Sequence, residues 1–198
     1  MSNEYIKISS GVNFTWEVED LVKKFVDVDV PGSARVYSDP LNRPHWQMYH
    51  HSNIAFARNF SINFPRECEE VVDRLRLVQH SMKSQSINHH LIGEFIQHNI
   101  NPGKVSLIKT WHEDVEPHCD VTRNISINIG LKNSNKGTTY ISDNTNHEQF
   151  WEQNLTSYTM EDGDVYLLHT KNAHTVKSNF DPTSESIRYI VTYNMITV

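Results

Sequence analysis

His118-Cys119-Asp120, together with His174 in the segment Asn172-Ala173-His174-Thr175-Val176, is the set of side chains in this sequence best suited to hold a transition metal. Two imidazoles and one carboxylate on one face of an ion, with further positions left open, are the donor set of non-haem Fe(II) centres. The spacing has a physical basis. On an extended chain, residues i and i+2 project to the same side, so His118 and Asp120 can reach one ion while Cys119 faces away. The third ligand must come from another strand. The His-x-Asp pattern alone does not discriminate, because His112-Glu113-Asp114 repeats it six residues earlier. His169 is likewise a second candidate for the distal histidine.

Strands are needed to carry such ligands, and from Lys104 onward the sequence has the texture of strands. Val105, Leu107 and Lys109 alternate with Ser106, Ile108 and Thr110. Ile125, Ile127, Ile129 and Leu131 mark one face of a strand over 124–131. Further strands are expected at 137–142, 165–168, 175–177 and 187–193, with a short helix or loop over 147–157 and a turn at Glu161-Asp162-Gly163-Asp164. Short strands at this spacing, separated by turn signals, predict an antiparallel sandwich or barrel. His118 and Asp120 then fall between the first two of these strands, His174 before the fifth, and Arg188 at the opening of the last.

The first half reads differently. Residues 1–15 are expected as an extended lead-in and Trp16 to Phe25 as a short helix, ended by Pro31-Gly32-Ser33. Residues 34–65 read as irregular or short-stranded, rich in Arg43, His45, Trp46, Tyr49, His50, His51, Phe56 and Arg58. They are either edge strands packed on the domain or a lid and substrate wall. Pro65 and the acidic Glu67, Glu69 and Glu70 suit a helix start. Val71, Val72, Leu75, Val78 and Met82 form one apolar stripe over 66–83. A second helix is expected over 86–98. Its adjacent His89 and His90 point about 100° apart and so do not share an ion.

The chain has 198 residues and a formal net charge of −6, with 37% hydrophobic residues and a mean hydropathy of −0.56. These values fit one domain, with 1–103 as a supporting region and 104–198 as the core. Phosphate binding needs clustered Lys and Arg, so no nucleic-acid partner is expected. No apolar run is long enough for a membrane span. The opening residues lack a secretory pattern, and Cys68 and Cys119 are the only cysteines. A reducing cytoplasm is the expected setting, and the Asn-x-Ser/Thr sequons carry no meaning there.

From about Gly103 to Asn194 the chain resembles the 2-oxoglutarate/Fe(II)-dependent oxygenases, and within them the aspartyl/asparaginyl β-hydroxylase and proline hydroxylase-like group. Four pieces carry the likeness. Gly103-Lys104-Val105-Ser106-Leu107 runs into Val115-Glu116-Pro117-His118. Arg123 through Gly130-Leu131 follows the first histidine. Gly163-Asp164-Val165-Tyr166-Leu167-Leu168 leads to Ala173-His174-Thr175-Val176. Arg188-Tyr189-Ile190-Val191 closes the set. The resemblance implies a double-stranded β-helix (jelly-roll, cupin-like) core, mainly β with flanking helices. It implies Fe(II) bound by His118, Asp120 and His174, with 2-oxoglutarate as cosubstrate and Arg188 pairing with its distal carboxylate. It also favours His174 over His169, as the histidine eleven residues after Gly163.

The chain departs from the group in three places. Some β-hydroxylases lack the acidic ligand, whereas Asp120 supplies it here, which favours the full triad. Where an Arg-x-His pair helps to hold the inner carboxylate, this sequence has Ser126 and Asn128, and Asn128 can still donate a hydrogen bond. Arg188 follows His174 by fourteen residues, with 179–185 lengthening the turn. The implied activity is hydroxylation of an amino acid, free or peptidyl, with release of succinate and CO2. The alternative is a jelly roll that binds a ligand or another metal without redox turnover, since fold does not dictate function.

Overall fold

The computed structural model describes residues 4–20, 34–38, 44–50, 66–100, 105–110, 116–120, 124–133, 136–177 and 188–195, with the backbone alone described for 34–38 and 44–50 and for Ser106, Lys109, Thr110, Asn133, Arg188 and Asn194. In chain order the elements are β1 (Tyr5–Ser9), β2 (Ala34–Ser38), β3 (Pro44–His50), α1 (Arg66–Lys83), α2 (His90–Gln97), β4 (Val105–Thr110), β5 (Ile125–Asn133), β6 (Thr138–Ser142), β7 (Leu155–Thr159), β8 (Val165–His169), β9 (His174–Lys177) and β10 (Arg188–Met195).

Two antiparallel sheets result. The larger runs β1-β8-β5-β10-β4-β3-β2 and the smaller β7-β6-β9. An isolated bridge between His118 and His174 adds the His118 segment beside β9. From β4 onward the chain passes repeatedly between the sheets, which is the double-stranded β-helix path. The architecture is mainly β with flanking helices, as the strand spacing and the resemblance led one to expect.

Strand alternation divides the interior into two cores. Ile125, Ile127, Ile129, Val165, Leu167, Val191 and Tyr193 leave the larger sheet on the helix side, where Val71, Val72, Leu75, Leu91 and Phe95 meet them. Each such side chain contributes about 1.5–3 kcal/mol on burial. The opposite parity, Ile108, Tyr166, Leu168 and Ile190, packs against Ile141 and Tyr158 from the smaller sheet. Tyr158 and Tyr166 stack there with centroids 4.1 Å apart. Burial first, and then the charge of Asp164, pushes the Tyr166 hydroxyl up from its ordinary pKa.

Several boundaries differ from those expected. Helix α2 begins at His90 rather than near 86, because His89 adopts an extended backbone and its Nδ1 accepts from Leu91 N–H at 3.3 Å. That side-chain cap starts the helix. Gln79 of α1 closes the other end, its Nε2 donating to the carbonyls of Phe95 and His98 at 2.6 and 2.8 Å. Residues 147–157 contain a 3-10 turn at Phe150–Glu152, but Leu155–Thr159 is a strand, paired with β6 from Thr138↔Thr159 to Ser142↔Leu155. The alternating Thr156 and Tyr158 suit a pleated surface once β6 is beside them.

The lead-in is a strand of the larger sheet, with Tyr5 opposite Leu168. The turn between β7 and β8 holds it there: Val12 N–H donates to Gly163 O at 3.0 Å, and Lys7 Nζ lies 2.6 Å from Asp164 Oδ1. Residues 34–38 and 44–50 extend the same sheet beyond β4. Of the expected Trp16–Phe25 helix, residues 18–20 are helical, and the remainder lies outside the described residues. Pro31-Gly32-Ser33, Arg43, His51, Phe56, Arg58 and Pro65 also lie outside them.

Candidate metal centre

His118 and His174 face one another as a directly paired antiparallel couple. His118 N–H donates to His174 O at 3.0 Å and His174 N–H to His118 O at 2.9 Å. A pair that exchanges both bonds projects its two side chains to the same side of the ladder. The rings accordingly lie with centroids 4.5 Å apart. Two residues on, Asp120 N–H donates to Thr170 O at 2.8 Å, which fastens the segment to the turn between β8 and β9. Asp120 Oδ2 then sits 3.9 Å from His174 Nε2. One donor atom from each of His118, Asp120 and His174 can be chosen so that all lie within 4.8 Å of one another, the one such group of His, Cys, Asp and Glu among the described residues.

The imidazoles are oriented for ligation. His118 Nδ1 is 2.9 Å from Glu116 O, and His174 Nδ1 is 2.9 Å from Asn172 O. A carbonyl can only accept, so each Nδ1 carries a proton, and in the neutral ring each Nε2 presents a lone pair. Backbone carbonyls commonly fix metal-binding histidines in this way. His174 is buried, Asp120 half-buried and His118 exposed, so the group is open on the His118 side. Two neutral imidazoles and a carboxylate with this presentation fit a divalent iron ion in their chemistry.

The remaining candidates separate on the same geometry. His169 has the parity of Val165 and Leu167 on the helix side, whereas Leu168 faces the smaller sheet. Its Nδ1 meets Asn172 Oδ1 at 3.0 Å, and its ring lies edge-on to His90 at 6.0 Å. His89 is the α2 cap, and its ring stacks on that of His90 at 5.2 Å. Burial first, and then His89 and His169, lower the His90 pKa. Cys119 turns away from the group and donates to Thr145 O at 3.2 Å, its thiol pKa raised by burial and next by Asp120. His147 is exposed. His112 and Asp114 lie outside the described residues.

Asn128 lies on the face of β5 that looks toward the smaller sheet. Ser126 Oγ donates to its Oδ1 at 2.9 Å and is 2.6 Å from Thr192 Oγ1. Because Ser126 has one hydroxyl proton, Thr192 donates to Ser126, and the Asn128 Nδ2 is the donor end of the chain. Arg188 is the first residue of β10, paired with Thr110 and Asn133; its side chain lies outside the described residues. Nothing in the residue types singled out the Glu116 and Asn172 carbonyls, since any residue supplies one. Asn172 was visible only as the residue two before His174.

No protein-family profile and no curated protein sequence matches the chain. Solved structures do. The non-heme alpha ketoglutarate dependent epimerase SnoN from nogalamycin biosynthesis superposes with a TM-score of 0.53 at 10% identity, over 96% of this chain and 76% of that one. A 2OG-Fe(II) oxygenase family oxidoreductase from Burkholderia pseudomallei gives 0.52 at 9%, over 96% and 84%. The ribosomal oxygenase YcfD from Escherichia coli, solved with cobalt and succinic acid, gives 0.51 at 9%, over 98% of this chain but 48% of its own. The chain has the fold of the 2OG-Fe(II) oxygenases. Identities this low establish fold alone, so chemistry must be argued from the residues. Among the described residues no helix is long and apolar enough to cross a membrane.

Proposed function

We propose that this protein is an Fe(II)- and 2-oxoglutarate-dependent oxygenase, with His118, Asp120 and His174 as the iron ligands. The observation that carries the reading is the convergence of these donors from two segments, with both histidine Nδ1 atoms tied to carbonyls. When bound, the iron would supply the oxidation of a substrate C–H bond by dioxygen, coupled to oxidative decarboxylation of 2-oxoglutarate to succinate and CO2, with one oxygen atom going to the substrate and one to succinate. The chain's own residues hold the ion and orient the reactants. The two histidines bind as neutral donors, and Asp120 adds one negative charge. Arg188 pairs with the distal carboxylate of 2-oxoglutarate, a bidentate match of guanidinium and carboxylate. Asn128, its Oδ1 already occupied by Ser126, offers its amide N–H groups to the cosubstrate.

SnoN has been solved in complex with Fe3+ and alpha ketoglutarate, and YcfD with cobalt and succinic acid, which supports the same cofactor pair on this fold. The substrate is an amino acid, free or within a peptide, in keeping with the resemblance to the aspartyl/asparaginyl and proline hydroxylases, and the outcome is hydroxylation. The setting is the cytoplasm, with no nucleic-acid or membrane partner.

The test is anaerobic addition of Fe(II) and then 2-oxoglutarate, followed by visible absorption. The expected result is a weak charge-transfer band that needs both additions, disappears in His174→Ala and weakens in Arg188→Ala. Iron bound weakly or not at all, with no band, would remove the oxygenase reading in favour of a jelly-roll binding protein.

A further inference from the structure

The two ligating histidines are held by the same local device, a carbonyl two residues earlier, but the two carbonyls are steadied differently. On the first, Pro117 lies between Glu116 and His118. Proline fixes its own φ and restricts the residue before it to extended conformations. The Glu116 carbonyl is thus stiffened by the covalent chain. On the second, Ala173 lies between Asn172 and His174 and imposes no such restriction. There the side chain of Asn172 is fastened at both ends. Its Oδ1 faces His169 Nδ1 at 3.0 Å, and its Nδ2 donates to Ser142 O at 2.9 Å. The far edge of the same peptide is tied by Ala173 N–H to Asn144 O at 2.8 Å.

We infer that Asn172 is a positioning residue for the metal ligand His174, and that His169, on the opposite side of β8 from the ligands, holds Asn172 in place. The Asn172 Oδ1 can only accept, so His169 Nδ1 carries the proton and donates to it. The amide is thereby locked in one orientation, with Nδ2 turned to Ser142. The clamp connects the helix-side face of the larger sheet to the metal group through one side chain. The inference rests on the iron-centre reading above.

Metal affinity tests it directly, with Co(II) in place of Fe(II) so that no turnover is needed. Outer residues that fix a ligating histidine typically change affinity 10–100-fold. The Ala173 bond survives substitution, so Asn172→Ala is expected to weaken Co(II) about tenfold, at the low end of that range. His169→Leu is expected to weaken it less, and His169→Asn, whose amide can donate from nearly the same place as Nδ1, to restore the wild-type value. Because the two residues act in series, the double variant Asn172→Ala/His169→Leu should lose no more than Asn172→Ala alone.

Asn172→Ala binding Co(II) like the wild type, or double-variant losses that multiply, would overturn the inference while leaving the metal centre intact. Wild-type protein that takes up no Co(II), or His174→Ala that binds it equally well, would overturn the centre and the inference with it. Should Asn172→Ala fail to fold, the His169 pair decides: unchanged affinity in His169→Leu, or no recovery in His169→Asn, refutes the clamp.

Discussion

Three glycines form a graded test of how the turn between β7 and β8 is held. Gly11 has φ +68° with open space where a Cβ would go. Gly130 has no left-handed φ, but a Cβ there would meet Glu161 O at 2.6 Å. Gly163 combines both costs, with φ +80° and a Cβ that would lie 2.8 Å from Val12 N and 2.9 Å from Val12 O. Left-handed backbone costs an L-residue about 1–2 kcal/mol. Overpacking against atoms that cannot step aside costs about 1–3 kcal/mol. Loss of glycine's freedom in the unfolded chain returns about 0.4–1 kcal/mol in each case. Gly11→Ala should therefore cost about 0.5–1 kcal/mol, Gly130→Ala about 1–2 and Gly163→Ala about 2–4. At about 2–4 °C per kcal/mol for a chain of this size, Gly163→Ala lowers the melting temperature by roughly 4–16 °C and Gly11→Ala by about 1–4 °C. Thermal melts by circular dichroism on the three single variants give the order. A Gly163→Ala melt within about 2 °C of wild type, or a Gly11→Ala loss as large as that of Gly163→Ala, would refute the reasoning.

Two further outcomes are expected. Thr15 donates to Glu70 through both its N–H and its hydroxyl, at 3.0 and 2.6 Å. Burial pushes the Glu70 carboxyl up, but the Thr15 bonds, with Arg74, outweigh it and hold the pKa below its ordinary value. The stability this gives is present above the unfolded-state pKa and is lost as pH falls through the lowered folded-state value. Glu70→Gln should thus flatten that part of the acid limb in melts taken from neutral pH down, and an unchanged limb would contradict it. Pro117→Ala frees the segment that carries His118; it should cost about 0.4–1 kcal/mol through the unfolded chain and weaken Co(II) binding severalfold, and a titration indistinguishable from wild type would show that the proline does not steady the Glu116 carbonyl.

The strands of the second half were readable because their apolar residues alternate so regularly. Ile125, Ile127 and Ile129 share a face in the sequence and share a core in the fold. The i, i+2 spacing of His118 and Asp120 likewise pointed to a shared direction, and the fold brings both within reach of His174. What escaped the sequence depends on distant partners. The lead-in is a strand only because the edge of β8 is free to pair with it, with Tyr5 opposite Leu168. Leu155–Thr159 is polar enough to read as loop, and β6 makes it a strand. The start of α2 was hidden because histidine is an unusual cap.

The place of His169 shows why the residue types alone left two histidines five residues apart as candidates, and why the preference for His174 came from the resemblance. A strand alternates, so a ligand and a near neighbour can belong to different layers of the molecule. Val165 and Leu167 leave β8 toward the helices, and His169 follows them, while Leu168 turns inward. The chain then reverses at Thr170, whose carbonyl receives Asp120 N–H, and returns on the smaller sheet at His174. One turn thus separates a histidine that packs against α2 from a histidine that faces Asp120. Asn172, in that turn, touches both: its side chain meets His169 and its main chain holds His174. The short connection that made the two hard to tell apart in sequence is what permits one residue to join the outer face to the His118, Asp120 and His174 group.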